Sequence, residues 1–168
     1  ASDVYKRQTI ATAVTLKGAV YTAATNGVGV DLQGYDSATL IASVGAEGDT
    51  LSSSVHFEMS LEHSDDNSTF TDVAQADIVD GTIASGGIWL KLDGTAGGNP
   101  DTAGEIFRVG YVGGKRYIRG VLAKTGTHSN GTAISMLVVK GNARHSANNA
   151  ITDPVSYTHL RAHETYVH

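Results

Sequence analysis

The sequence predicts an all-β protein with a single antiparallel β-sandwich of about eight or nine strands, similar in type to a jelly roll. Three observations predict it. The segment 55–63 alternates apolar and polar side chains with a period of two. Short apolar segments are separated by Gly, Asn and Asp turns at intervals of roughly 8–15 residues. Charged residues make up only 17% of the chain, and Thr and Val are abundant. A β-barrel remains the alternative, because periodicity does not separate it from a sandwich.

The first half of the chain contains five predicted strands. They are expected at residues 9–21, 28–32, 38–44, 55–63 and 69–73. Turn sequences at 25–27 and 34–37 separate the first three strands. The strands 55–63 and 69–73 flank the polar segment 64–68, and this arrangement predicts an antiparallel hairpin.

The second half of the chain contains four predicted strands. They are expected at residues 88–92, 106–112, 116–123 and 133–140. Gly113 and Gly114 indicate a tight hairpin turn between two of them, and residues 126–131 indicate another turn. The residues after the last predicted strand, 142–154, are mostly polar.

The two ends of the chain resemble translated adaptor DNA from a transposase-made sequencing library. Residues 3–8 can be encoded by GAT GTG TAT AAG AGA CAG. The reverse complement of that DNA, read in a shifted frame, encodes Val-Ser-Tyr-Thr-His, the sequence of residues 155–159. We therefore expect residues 1–8 and 155–168 to be adaptor artefacts, 9–145 to form the β-sandwich domain, and 146–154 to be the polar tail.

Composition excludes several classes of function. Lys and Arg number 12 against 17 Asp and Glu, so the net charge of −5 disfavours binding to nucleic acid. The chain has no Cys, which excludes disulfides, thiolate zinc sites and a cysteine nucleophile. No apolar run is long enough to span a membrane. We expect no cofactor.

Sequence motifs of catalysis are missing, so the chain is predicted not to be an enzyme and to have no catalytic residues. Residues 27–29 begin like a dinucleotide fingerprint, but Leu32 stands where its third Gly is required. Glu58 and Glu62, four residues apart on a strand, lie about 13 Å from each other. That separation exceeds the roughly 5–9.5 Å of glycosidase carboxylate pairs.

One acidic turn contains possible metal ligands, but no metal site is predicted there. Asp65, Asp66, Asn67 and Asp72 offer oxygen ligands, but their spacing does not match a calcium-binding loop. Asp and Asn are also favoured in turns because their side chains hydrogen-bond to nearby backbone.

Four residues are candidates for an interface. Trp89 is the only Trp, and its apolar neighbours favour a position in the core or at an interface over a sugar-stacking platform. Lys115, Arg116 and Arg119 form a basic cluster on an acidic chain. They are expected either to contact an acidic neighbouring subunit or to lie at a solvated hairpin tip.

Several stretches carry a resemblance to known proteins. They are residues 34–38 (GYDSA), 61–73 (LEHSDDNSTFTDV), 107–119 (FRVGYVGGKRYIR), and 126–128 with the strand that runs to Gly141. The chain resembles small structural proteins of tailed bacteriophages and prophages over most of residues 19–145. The same order of motifs is similar to galactose-binding-like jelly rolls.

The resemblance implies a non-enzymatic virion protein, associated with the head as a decoration or head-completion protein. Its expected partners are other virion subunits, with homo-oligomers or many copies on a shell, and its expected location is the virion assembled in the bacterial cytoplasm. The alternative is a carbohydrate-binding or adhesin-like module.

Overall fold

A computed structural model describes residues 10–95 and 104–144 of the chain. This part is all-β, with two antiparallel sheets packed as a sandwich, so the predicted fold class is confirmed. The strands are β1 (Ala11–Tyr21), β2 (Thr25–Asn26), β3 (Val30–Asp31), β4 (Tyr35–Glu47), β5 (His56–Ser64), β6 (Thr71–Asp72), β7 (Ile78–Val79), β8 (Ile88–Leu92), β9 (Glu105–Tyr111), β10 (Tyr117–Thr125) and β11 (Thr132–Ala143). A short 3-10 turn, Gln75–Asp77, precedes β7.

The first sheet has five strands in the order β1-β11-β4-β9-β7. Its centre is the long pairing of β11 with β4, in which Leu137 lies opposite Ile41. The edge strand β1 pairs with β11 and carries two register shifts, between Val14 and Leu16 and between Leu16 and Ala19. At the other edge, β7 is only two residues long.

The second sheet is built on the pairing of β5 with β10. The short strands β2 and β3 extend the free side of β10, and β6 and β8 extend the free side of β5. This sheet therefore has two long central strands with segmented edges.

Apolar side chains from both sheets fill the space between them. The alternation predicted for β5 places Phe57, Met59 and Leu61 inward, and each is fully buried. Ile118 and Leu122 of β10 lie beside them. The first sheet supplies further buried residues: Leu16, Leu40, Ala42, Val44, Val109, Tyr111, Ile134, Met136 and Val138.

A buried threonine connects the two sheets along one side. Thr15 of β1 donates a hydrogen bond through Oγ1 to the carbonyl of Val28 at 2.8 Å. The same oxygen accepts a hydrogen bond from the backbone N–H of Gly120 in β10 at 3.0 Å. The Thr15 carbonyl accepts one from Val28 N at 2.7 Å. The β1 edge is therefore partly closed by backbone from the opposite sheet.

Several predicted boundaries are wrong. The turn predicted at 34–37 is mostly strand, because β4 begins at Tyr35. Thr25 and Asn26, predicted as a turn, pair with β10. Strand β7 was not predicted, and β11 runs to Ala143, three residues beyond its predicted end at residue 140. The described residues contain eleven strands rather than eight or nine, because several edge strands have only two residues, too few for a periodic pattern.

The hairpin predicted around Gly113 and Gly114 is also wrong. Strand β9 belongs to the first sheet and β10 to the second, so their connection crosses the sandwich. The hairpin formed by β5 and β6 is confirmed by the pairing of His63 with Thr71.

The predicted adaptor ends, 1–8 and 155–168, and the predicted tail at 146–154 lie outside the described residues. Within the described ranges, no helix has the length and hydropathy needed to cross a membrane.

Candidate interaction surfaces

The outward face of the five-stranded sheet carries seven large apolar side chains, with Thr and Ser residues such as Thr39, Ser43 and Ser135 between them. We call it the apolar face and define it by Val14, Val20, Ile41, Val79, Ile106, Leu137 and Val139. Val14, Val20, Val79 and Ile106 expose between 48% and 74% of their surface. The regular outward positions of β4, β9 and β11 carry one charged side chain, Arg108, which pairs with Asp80 at 3.1 Å.

The apolar face has a ridge beside a groove. The ridge is a row of large side chains in register across three strands, with Val14 opposite Leu137 and Leu137 opposite Ile41. On the central strands β4 and β11 the next rows are small, and they form a groove of about 410 Å³. The same rows end in the exposed Ile106 on β9 and Val20 on β1. The groove is lined by Gly18, Ala19, Val20, Ser43, Gly45, Ala133, Ile134 and Ser135.

The outward face of the other sheet is charged and paired within the chain. Arg119 of β10 donates to Glu62 of β5 at 2.7 Å, and its guanidinium lies 4.1 Å from the centre of the Phe70 ring. Glu58 lies 4.0 Å from the Lys91 ammonium. The two outward faces therefore differ in chemistry, and one of them has the ordinary solvated pattern of a sandwich.

The residues of the predicted basic cluster form ion pairs within the chain. Lys115 and Arg116 lie in the connection that crosses the sandwich, whereas Arg119 lies within β10. Lys115 forms an ion pair with Asp65. Arg116 donates to both carboxylate oxygens of Asp31, from Nε at 3.1 Å and Nη2 at 2.8 Å, and this fork lowers the pKa of Asp31. Each cation is matched by a carboxylate of its own chain.

Trp89 packs against the hydrophobic core from β8 and is partly buried. Its indole Nε1 is buried and has no hydrogen-bond partner among the described residues. A sugar-stacking platform needs an exposed ring, so the position of Trp89 favours a packing role.

Carboxylates in the loops hold their own turns. Asp66 Oδ1 accepts hydrogen bonds from the backbone N–H of Thr69 at 2.7 Å and of Ser68 at 2.8 Å, and from Ser64 Oγ at 2.8 Å. These bonds hold the pKa of Asp66 well below its usual range. Backbone N–H groups of this turn therefore hold its carboxylate in place. The described residues contain no group of three or more His, Cys, Asp or Glu side chains that could hold a metal ion.

Asp49 organises a second loop, between β10 and β11. Its carboxylate accepts hydrogen bonds from the backbone N–H groups of Ser129, Asn130 and Gly131 at 2.7–3.2 Å. These bonds, with that from Asn130 the largest, lower the pKa of Asp49. The buried ring of His128 stacks on Phe57 with 4.0 Å between ring centres, so this loop is anchored to the core.

A cleft of about 230 Å³ opens at the end of the sandwich where β9 leads to β10. The buried Tyr111 lies beside it, and its hydroxyl accepts from Lys115 N at 3.2 Å and lies 3.1 Å from His63 Nδ1. Burial raises the pKa of Tyr111 to about 12 and lowers the pKa of His63. Arg116 and Arg144 at the rim are paired with Asp31 and Asp36, so the cleft has little free charge.

No protein-family model matches the chain, and no curated protein matches it.

The apolar face was not predicted from the sequence. The sequence of β11 indicates it, because residues 136–139 read Met-Leu-Val-Val without polar alternation. Such a run is typical of a strand that is covered on both faces. Among residues 10–95 and 104–144, only one face of β11 is covered.

Proposed function

We propose that this chain is a non-enzymatic structural protein of a tailed-bacteriophage virion that works by contacts between subunits. The proposed position is on the head, as a decoration or head-completion protein. The observation that supports the proposal best is the apolar face of the five-stranded sheet. The motifs that resemble phage structural proteins support the phage origin.

An exposed apolar sheet face fits a protein that is covered in its working state. A sheet that faces water ordinarily alternates apolar inward and polar outward side chains, as β5 does. Large contiguous apolar patches on soluble domains mark sites of interaction. The outward Val14, Ile41 and Leu137 are therefore best explained by another surface that covers them.

The loops fit a rigid scaffold more than a catalyst. The carboxylates of Asp31, Asp49 and Asp66 are each engaged by hydrogen bonds from nearby groups of the fold. Those contacts fix loop shape, which a subunit with many identical neighbours requires. Identical weak contacts repeated over a symmetric shell add through multivalency.

The first test identifies the genes that flank this one on a longer contig. We expect capsid, portal and head-protease genes there. The chain is then co-expressed with the neighbouring capsid gene, and assembled particles are pelleted through a density gradient. Recovery of the chain in the particle fraction supports the proposal, whereas its complete retention in the supernatant contradicts it.

A carbohydrate-binding role is tested in parallel on a glycan array. The packing of Trp89 against the core does not favour it. Specific glycan binding that is lost in Trp89→Ala, together with neighbouring polysaccharide-utilisation genes, would replace the virion proposal.

A further inference from the structure

We infer that the apolar face is the contact between two copies of this chain, which pack face to face about a two-fold axis. This inference rests on the proposed function and names the partner of the same surface. The axis would pass between the ridge and the groove, near Ile41 and Ser43 at the centre of the sheet.

The shape of the face is complementary to itself. A two-fold rotation exchanges the ridge row that contains Val14, Leu137 and Ile41 with the groove rows that contain Ser43 and Ala133. The ridge of each copy then enters the groove of the other. An interface about a two-fold axis requires one patch that fits itself in this way.

The size of the face is sufficient for a stable dimer. Strands β1, β11, β4 and β9 have 11, 12, 13 and 7 residues. With a rise of about 3.3 Å per residue and a spacing of about 4.8 Å between strands, the whole sheet face covers about 680 Å². Two copies that cover each other completely would bury about 1,360 Å², within the range of roughly 1,200–2,000 Å² for specific interfaces.

The charge of the face also favours a second copy. The whole chain carries −5, so copies repel each other wherever carboxylates meet. The regular outward positions of β4, β9 and β11 carry only Arg108, which is paired with Asp80, and β1 adds the exposed Lys17. Because these central positions carry no carboxylate, two negatively charged copies approach there with little electrostatic repulsion.

Pairing of two copies through their sheet edges is less favourable. The edge strand β1 is broken by two register shifts, and its Thr15 carbonyl already accepts a hydrogen bond from Val28. Strand β7 at the other edge has two residues. Irregular or very short edges resist strand addition, so the broad face remains the surface for self-association.

The oligomeric state of the full chain tests the inference. Sedimentation equilibrium is expected to give twice the chain mass of 17.5 kDa at micromolar concentrations. Val14→Asp and Ile106→Asp each place a carboxylate on the face at an exposed position that the fold itself tolerates. We expect each to raise the dimer dissociation constant by at least about 100-fold, as an unpaired buried charge does. Thr71→Asp, at an exposed position of β6 in the other sheet, is the control and should remain dimeric.

Cross-linking tests the geometry independently. The chain has no native Cys, so a single introduced thiol is unique. Face-to-face sheets lie about 10 Å apart, beyond the reach of a disulfide but within that of a short bismaleimide. Ser43→Cys is expected to cross-link into dimers, and Ser68→Cys, in the turn after β5, is not.

Three outcomes overturn the inference. They are a wild-type monomer at all concentrations, a dimer that Val14→Asp and Ile106→Asp leave unchanged, and cross-linking from Ser68→Cys but not from Ser43→Cys. A monomer that still enters capsid particles, and that Val14→Asp prevents from entering, means that a different subunit covers the face. That result rejects the second copy while it retains the proposed function.

Discussion

At the scale of single residues, Thr15 shows how one hydroxyl links two sheets. Its side chain is buried and satisfies a carbonyl of the β2–β3 segment and an N–H of β10 at once. Removal of the hydroxyl leaves the buried Gly120 N–H without that partner, and it also removes a donor from the part-buried Val28 carbonyl. An unsatisfied buried polar group costs more than the hydrogen bond itself contributes, because it does not return to water.

Thr15→Val is therefore expected to lower the free energy of unfolding by about 1–3 kcal/mol, since the volume is kept and the hydroxyl is lost. Urea denaturation followed by circular dichroism measures this. Thr12→Val, on the same strand with an exposed side chain, should change stability by less than about 0.5 kcal/mol. Equal effects of the two substitutions would contradict the bridging role of Thr15.

At the scale of elements, the segment between β2 and β3 must pass very close to the neighbouring strands. Gly27 donates its N–H to the Gly120 carbonyl at 2.9 Å. A Cβ at position 27 would lie 2.5 Å from that carbonyl oxygen and 2.7 Å from the Thr15 carbonyl oxygen. Both are backbone atoms, so relief requires the strands themselves to shift.

Gly27→Ala is expected to destabilise the protein by about 1–3 kcal/mol, as overpacking in a well-packed region does. The thermal midpoint gives the measurement. Gly114→Ala is the matched control, because a Cβ there meets no heavy atom within 4 Å. A neutral Gly27→Ala would mean that the β2–β3 segment does not hold this position in solution.

At the scale of the whole molecule, stability is expected to depend on pH on both sides of neutrality. Burial lowers the pKa of His63 in the folded protein below 6.5. As the pH falls, His63 is therefore protonated in the unfolded chain before it is protonated in the folded one. The free energy of unfolding therefore decreases as the pH drops below about 6.5. Burial also raises the pKa of Tyr111 from 10.0 to about 12, so stability decreases again as the pH rises through that interval.

The loss of stability at acidic pH is measured as the difference in thermal unfolding midpoint between pH 7.5 and pH 5.5. His63→Gln keeps a polar partner near the Tyr111 hydroxyl and removes the titrating ring, so it should reduce that difference. An unchanged difference in His63→Gln would assign the acid sensitivity to other groups.

Local sequence patterns were sufficient to predict several strands and their faces. The strand 88–92 was predicted with its true bounds, and the alternation in 55–63 located both faces of β5. The site was harder to predict from sequence. Lys115, Arg116 and Arg119 are close along the chain, yet their ion-pair partners come from distant parts of the sequence. The partners are Asp65, Asp31 and Glu62, respectively. Such partners depend on strand order, which local sequence does not contain.

The class of fold follows from local sequence patterns, because a period of two and frequent turn residues are local properties of a chain. The three-dimensional fold was needed to show that β9 and β10 belong to different sheets and that β11 lies between β1 and β4. It also decided which face of β11 meets the core and which is left outside. Val138 and Val139 are adjacent and chemically identical, so only their position in the sandwich separates a core residue from a residue of the apolar face.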